Sequence, residues 1–161
     1  MTIARLKITL EGISPLVERT FEVPSDIRLD RLHLVIQAAM GWENCHLYEF
    51  MVGETRWGLS DPDFGTDTLP VTKASLADIM DVAGRAPIRY VYDFGDDWVH
   101  LIEAVIIGDP TPGNLYPRLV DITGRCPPED VGGLPGYENF LEAIGDHDHP
   151  EHEELTEWAG G

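Results

Sequence analysis

The strict alternation of apolar and polar side chains from Ala4 to Leu10 limits what this chain can fold into. Even positions are apolar and odd positions are polar or charged, which is the period of a strand with one buried face. A turn at residues 12–15, which contain glycine and proline, predicts a return strand and therefore an antiparallel sheet. One register satisfies both faces: Leu6 opposite Phe21, Leu10 opposite Val17 and Arg5 opposite Glu22, with Arg19 left beside Ile8.

Helical and strand patterns then follow one another along the chain. Apolar residues one helical turn apart predict a helix from Leu29 to Met40, which Gly41 ends. Further strands are expected within 47–57 and in two runs between Pro87 and Ile107, and a short helix near Ser75–Val82. Two more helices are expected towards the C-terminus. One is amphipathic, through Tyr137, Phe140, Leu141 and Ile144, and the last starts at about Pro150 and carries Leu155 and Trp158 inward. The sequence therefore predicts one α+β domain over residues 1–161, a mostly antiparallel sheet of hairpins packed with a few helices.

The segment from Tyr90 to His100 contains the strongest candidate site. A two-residue turn at Gly95-Asp96, with a positive φ at Gly95, places Asp93 opposite Trp98 and on the same face as His100. A carboxylate there would orient the imidazole as a base or metal ligand and raise its pKa. The alternative is that the aspartates cap the turn while the aromatic residues fill the core. No nucleophile is apparent nearby, so no catalytic residue is assigned.

Two further segments carry candidate ligands. Three histidines lie among carboxylates in residues 146–154, where His149 and His152, one helical turn apart, could bind zinc or another divalent ion. The alternative is a solvated acidic helix start. Residues 124–133 form a loop with two prolines and three glycines around Cys126, either a rigid structural loop or the place of a reactive thiol. The candidate binding residues are Tyr92, Asp93, Asp96, Asp97, Trp98, His100, Glu129 and Asp130.

Charge limits the classes of partner. The formal net charge is −18, and residues 1–40 hold equal numbers of acidic and basic residues, so the whole excess lies in residues 41–161. No Lys or Arg follows Arg125. Because cationic side chains supply most affinity for a phosphate backbone, direct nucleic-acid binding is not expected, whereas a basic partner protein would suit this surface.

The sequence contains neither a membrane-spanning segment nor a signal peptide, and this decides the expected localisation and the state of the cysteines. No apolar run is long enough to span a membrane, and residues 1–10 do not resemble a signal peptide. We therefore expect a cytoplasmic chain in which Cys45 and Cys126 stay reduced. The acidic loop from Ser60 to Pro70 lacks the oxygen ligands of a calcium loop, so no calcium site is expected there.

Several sequence blocks together resemble one family. The chain is similar to the plasmid Ri (pRiA4b) open-reading-frame-3-like family in residues 6–10, in Gly41-Trp42-Glu43-Asn44 with His46-Leu47, in Tyr92-Asp93-Phe94-Gly95-Asp96-Asp97-Trp98 with His100, and in Cys126-Pro127-Pro128-Glu129-Asp130 with Gly132-Gly133 and Gly136-Tyr137. The resemblance implies a compact α+β domain of unassigned biochemical function, often encoded near plasmid or transposon genes. Leu119 and Val131 stand where many members resemble a cysteine-bearing version of the loop, so a cysteine metal site of that kind would be incomplete here.

Two functions remain open on this basis. The first is a non-enzymatic interaction or accessory module that has no cofactor and whose acidic surface meets a basic partner protein. The second is a metal-binding domain or metal-dependent enzyme that uses the His147–His152 segment or the Asp93 and His100 face.

Overall fold

Eight strands form one sheet in the computed structural model, which describes residues 1–59 and 68–158, without the side chains of residues 144 and 155–157. The strands are β1 (Ile3–Leu10), β2 (Glu18–Pro24), β3 (Tyr48–Val52), β4 (Thr55–Gly58), β5 (Leu69–Pro70), β6 (Ile88–Tyr92), β7 (Trp98–Gly108) and β8 (Arg118–Thr123). Their order is β5-β4-β3-β6-β7-β1-β2-β8. Only β4 and β5 pair in parallel among the described strands. The predicted α+β class with a mostly antiparallel sheet is confirmed.

Four helices accompany the sheet within the described ranges: α1 (Leu29–Met40), α2 (Leu76–Ala83), α3 (Gly133–Gly145) and α4 (His152–Trp158). The predicted bounds of α1 are confirmed, and Gly41 ends the helix with a φ of 95°, a conformation that costs glycine little. Ser75 caps α2 by accepting a hydrogen bond from the Asp78 N–H. No helix in the described residues is long and apolar enough to cross a membrane.

The pairing of β1 with β2 follows the predicted register. Leu6 lies opposite Phe21 and Arg5 opposite Glu22, and the Leu10 N–H donates to the Val17 carbonyl. Arg19 does lie beside Ile8 and is buried. Its guanidinium donates to the carbonyl oxygens of Ala39, Glu18 and Thr123, so the buried charge has hydrogen-bond partners from α1, β2 and β8.

The hairpin of β6 and β7 differs from its predicted register by one residue. Tyr92 lies opposite Trp98 and Tyr90 opposite His100, so residues 93–97 form a five-residue connection. The predicted pairing of Asp93 with Trp98 is wrong. Asp93 and Asp97 take the left-handed φ values of 62° and 59°, and the Asp97 N–H closes the loop on the Asp93 carbonyl. A positive φ was predicted for Gly95, but these two aspartates supply the turn instead.

The consequence of this register is a layer of aromatic rings inside the molecule. Tyr90, Tyr92, Trp98 and His100 share one buried face of the hairpin. This layer joins the apolar residues of β1, β2 and the helices in one core.

The last two helices pack against each other at the C-terminal side. The predicted amphipathic helix is present as α3, with Tyr137 and Phe140 buried. The last helix begins at His152 instead of Pro150. Trp158, which was expected to point inward, is 47% exposed, and its ring centroid lies 6.0 Å from that of Phe140. The predicted inward position of Leu155, and most of the acidic loop where calcium was excluded, lie outside the described residues.

Candidate functional site

Three connecting segments meet at the end of β6. Residues 41–47 follow α1, residues 93–97 join β6 to β7, and residues 124–132 precede α3. Tyr92, the last residue of β6, links the first and third segments, because its hydroxyl accepts from the Cys45 N–H at 3.0 Å and donates to Glu129 Oε1 at 3.1 Å. The Asp93 N–H donates to the Leu47 carbonyl at 2.9 Å, which links the first segment to the second.

One imidazole nitrogen lies among three carboxylates in this place. His46 Nε2 is 2.8 Å from Asp130 Oδ1, 3.4 Å from Asp93 Oδ2 and 3.6 Å from Glu129 Oε2. The nitrogen atom is shielded from solvent, yet it has no hydrogen-bond partner of acceptable geometry among the described residues. A single ring nitrogen cannot satisfy three carboxylates by hydrogen bonding. The cluster therefore contains more negative charge than its own groups compensate.

The carboxylates of Glu129 and Asp93 are each oriented through one oxygen. Glu129 Oε1 accepts from the Glu43 N–H at 2.9 Å and from Tyr92, while Oε2 faces His46. Asp93 Oδ1 accepts from the N–H groups of Gly95 and Asp96 at 3.1 and 3.3 Å, while Oδ2 faces His46. One oxygen of each side chain is thus held by backbone N–H groups, and the other faces the His46 nitrogen. Glu129 Oε2 is also within hydrogen-bond distance of Cys45 Sγ and the Tyr92 hydroxyl. Metal-binding carboxylates are commonly supported in this way.

Cys45 adds a sulfur donor beside the carboxylates. Its Sγ is 3.6 Å from Glu129 Oε2 and 3.6 Å from the Tyr92 hydroxyl. The hydrogen bond with Tyr92 favours the thiolate, but loss of solvent and the charges of Glu129 and Asp130 outweigh it, so the pKa of the Cys45 thiol is raised. Donor atoms of Cys45, His46 and Glu129 all lie within 4.8 Å of one another, and so do those of His46, Asp93 and Asp130.

The backbone of the site is strained at several positions. Asn44, Asp93, Asp97 and Asp130 have φ values between 54° and 62°, and they are the only non-glycine residues with positive φ in the described part of the chain. All four belong to the three segments that build the site. Aspartate and asparagine tolerate this conformation better than other residues do, although it still costs energy.

A buried polar network holds the segment that carries His46. The Asn44 N–H donates to Gln37 Oε1 at 2.8 Å, and Asn44 Oδ1 lies 2.6 Å from His33 Nε2. The Tyr90 hydroxyl contacts the other ring nitrogen of His33 at 2.6 Å and accepts from Gln37 Nε2 at 2.9 Å. Burial lowers the pKa of His33. These bonds connect helix α1 and strand β6 to the cluster.

His100 is not part of the cluster. The ring is fully buried, its Nδ1 donates to the carbonyls of Tyr90 and Trp98 at 3.0 Å each, and its Nε2 accepts from Trp42 Nε1 at 3.1 Å. Burial lowers the pKa of His100 to about 4. The predicted contact with Asp93 and the predicted rise in pKa are both wrong, because the hairpin register turns this ring into the core.

The other predicted residues fall into two groups. Tyr92, Asp93, Glu129 and Asp130 come together around His46. Asp96 accepts from the Gly132 N–H at 3.2 Å, which ties two of the segments together, and Asp97 closes its loop. Trp98 is buried in the aromatic layer. The prediction did not include Cys45 or His46.

The histidine pair near the C-terminus lies elsewhere in the fold. His149 precedes α4, so it does not share a helix with His152 as predicted. The Nδ1 of His152 donates to the Ala143 carbonyl at 2.6 Å, and the Nδ1 of His149 accepts from the Glu151 N–H at 3.0 Å. This pair belongs to no group of three close donors within the described ranges. The assumption that one helical turn separates the two histidines is wrong, because α4 begins at His152, three residues after His149.

The fold and the cluster define an α+β domain with a mixed thiol, imidazole and carboxylate cluster at the end of a central hairpin. The chain belongs to the plasmid pRiA4b ORF-3-like protein family, whose family model matches residues 2–161. This confirms the resemblance found in the sequence.

Two relatives span nearly the whole chain. The uncharacterized protein y4hQ of Sinorhizobium fredii (strain NBRC 101917 / NGR234) is 45% identical over 159 residues, which are 99% of this chain and 81% of that protein. The crystal structure of the protein of unknown function MM3350 from Methanosarcina mazei Go1 is similar with a TM-score of 0.84 and 32% identity, over 98% of this chain and 89% of that one. These likenesses support the fold and assign no function.

Proposed function

We propose that this chain is a metal-binding domain that holds one divalent cation between His46, Asp93, Glu129 and Asp130. The observation that supports the proposal is the convergence of three carboxylate oxygens on one solvent-shielded imidazole nitrogen that has no hydrogen-bond partner of acceptable geometry among the described residues. Imidazole nitrogen and carboxylate oxygen are common ligands of divalent transition metals.

The distances within the cluster suit a bound ion. Ligands about 2.1 Å from a tetrahedral ion lie about 3.4 Å from one another. The separations from His46 Nε2 to the three oxygens range from 2.8 to 3.6 Å. The donors form two close sets that share this nitrogen, one with Glu129 and Cys45 and one with Asp93 and Asp130, so an ion at His46 would take one set first and side-chain rotation would bring in a further carboxylate. A divalent cation would also reduce the mutual repulsion of the three carboxylates.

Binding can be tested on the full chain purified without chelator. Native mass spectrometry is expected to show one zinc, cobalt or manganese ion per chain after addition of that metal, and the melting temperature is expected to rise with metal concentration. His46→Gln should remove both effects, whereas His149→Gln, outside the cluster, should retain them. Absence of any stoichiometric ion with all three metals would overturn the proposal, and loss of binding in His149→Gln alone would place the site in the C-terminal segment.

A second candidate function rests on the charge around the same place. Glu43, Asp96 and Asp97 lie in the site segments beside the three cluster carboxylates, and no Lys or Arg follows Arg125. We propose that a basic segment of a partner protein docks on this surface, and that the chain acts as a cytoplasmic accessory module without direct affinity for nucleic acid.

A polycation and a polyanion, used as separate probes, test whether the partner of this surface is a basic protein or a nucleic acid. A lysine-rich peptide should bind with an affinity that falls as salt rises, whereas duplex DNA should give no gel shift at about 150 mM salt. A DNA complex that persists at that salt would contradict the proposed class of partner. A peptide affinity that is unchanged when Asp96 and Asp97 are both replaced by Asn would place the docking surface elsewhere.

A further inference from the structure

Cys45 differs from the other donors of the cluster in its chemistry, and from Cys126 in its exposure. Its residue is exposed, whereas Cys126 is partly buried against the core, and burial raises the pKa of Cys126 to about 12. The backbone of Cys45 is held by the Tyr92 hydroxyl, so the position of its Sγ beside Glu129 Oε2 is set by the fold. The thiol thus lies at the edge of the cluster without a packing role.

The cluster contains two overlapping sets of donors that share His46. Cys45, His46 and Glu129 form a set with a sulfur atom, and His46, Asp93 and Asp130 form a set with oxygen and nitrogen only. Magnesium and calcium prefer oxygen ligands, and magnesium retains several waters. Thiolate and imidazole together favour zinc and similar ions. The choice between the two sets therefore decides which metal the site would select.

We propose that the Cys45 sulfur is a direct ligand of the bound cation, so that the site selects zinc-class ions over magnesium and calcium. This inference rests on the proposed metal-binding function. Coordination replaces the S–H bond by a sulfur–metal bond, and the proton is released to solvent, with no change in oxidation state. In the reducing cytoplasm proposed for this chain, the thiol stays available for this step.

Cobalt(II) in place of zinc provides a readout that only a sulfur ligand gives. The wild-type chain with one equivalent of Co²⁺ is expected to show a thiolate-to-cobalt charge-transfer absorption band in the near ultraviolet. Cys126→Ser is the matched control and should retain the band, while Cys45→Ser should lose it. Because loss of even an outer partner of a metal site costs roughly 10–100-fold in affinity, zinc affinity in Cys45→Ser should fall at least about tenfold.

The possible outcomes separate this inference from the proposed function. If cobalt binds the wild type without a charge-transfer band, or if Cys45→Ser keeps the band and the full zinc affinity, the sulfur is not a ligand and only the inference fails. If no metal binds the wild type, both fail. The melting curve of each metal-free variant verifies folding, and Cys45→Ala replaces Cys45→Ser if the serine variant does not fold. Magnesium or calcium binding as tight as zinc binding would also overturn the inference.

Discussion

His100 and His46 both lie near Tyr92, but their surroundings are opposite. The ring centroids of His46 and Tyr92 are 5.7 Å apart. His100 accepts a hydrogen bond from Trp42, whose ring centroid lies 5.3 Å from that of Tyr92. All the hydrogen-bonding capacity of His100 is used by backbone carbonyls and an indole N–H. His46 presents a shielded nitrogen to three carboxylates. A histidine whose nitrogens are all paired in the core serves stability, whereas an unpaired one among acids is a candidate ligand.

The largest expected difference between the two histidines is in stability. His100→Ala should lower the free energy of unfolding by about 3–5 kcal/mol, because it leaves a cavity and deprives the Trp42 indole and two carbonyls of their partner. His46→Ala should change the stability of the metal-free chain by less than about 1 kcal/mol. Urea unfolding monitored by circular dichroism measures both. Equal losses in the two variants would remove the distinction between a structural and a binding histidine.

The packing of the site segments can be disturbed without touching either histidine. A Cβ atom added at Gly133, where φ is 68°, would lie 2.6 Å from the Asp96 carbonyl oxygen. Gly133→Ala should therefore cost about 1–3 kcal/mol and weaken metal binding, since it pushes residues 93–97 away from residues 124–132. Gly95→Ala is the control, because its added Cβ would meet Asp93 Oδ1 only at 3.4 Å and no left-handed φ is required. A larger loss of stability in Gly95→Ala than in Gly133→Ala would instead favour the two-residue turn predicted from the sequence.

Acid should weaken the fold through the buried ring. The pKa of His100 is about 4 in the native chain and about 6.5 in the unfolded chain. The unfolded state therefore binds a proton that the native state refuses. The contribution of the neutral ring is complete above about pH 6.5, decreases as the pH falls, and levels off near pH 4. Between pH 7 and pH 5 the free energy of unfolding should fall by about 2 kcal/mol from this group, and His33 acts in the same direction.

Two measurements test this pH dependence. The ¹⁵N chemical shifts of the His100 ring should report a neutral imidazole at pH 5.5 in the folded chain. The slope of unfolding free energy against pH should flatten in His100→Gln. A charged ring at pH 6 would show that the core around Trp42 admits solvent.

The smallest expected effect has opposite signs with and without metal. Asp130→Asn keeps the shape and suits a φ of 56°, but it removes one charge from the cluster. The metal-free chain should become more stable by about 0.5 kcal/mol as repulsion decreases, while metal affinity should fall. Asp121→Asn, on exposed strand β8, is the control for a general change in net charge. If Asp130→Asn weakens the fold and leaves metal affinity unchanged, the carboxylate is structural.

Local patterns predicted much of the fold. Alternation fixed the register of β1 and β2 because a slip of one residue would have exposed the whole set of Leu6, Phe21 and their neighbours. Helix α1 was predictable to the residue since apolar spacing and a terminal glycine agree. The register of β6 and β7 was not, because the sequence contained no sign that Asp93 and Asp97, in place of Gly95, would adopt the left-handed conformation.

The site was predicted only in part for a different reason. Asp93, Glu129 and Asp130 were identified because they stand in unusual sequence blocks. Cys45 and His46 lie just after helix α1, whose apolar spacing and terminal glycine already accounted for this part of the sequence. No local pattern connects them to the distant cluster carboxylates. The block Gly41-Trp42-Glu43-Asn44 with His46-Leu47 was the one available signal, since it belonged to the family resemblance without having an assigned role.

The hydrogen bond from Glu43 to Glu129 joins residues 86 positions apart in the chain, and this distance has a consequence for the order of folding. Closing so long a loop costs conformational entropy before any contact is gained. Strands β1 and β2 and helix α1 need only neighbouring residues, so they can form early, whereas the cluster can assemble only after the central hairpin and the segment before α3 have met. The cluster should therefore be among the last parts of the molecule to form, and its acidic groups stay separated in water until the rest of the fold forces them together.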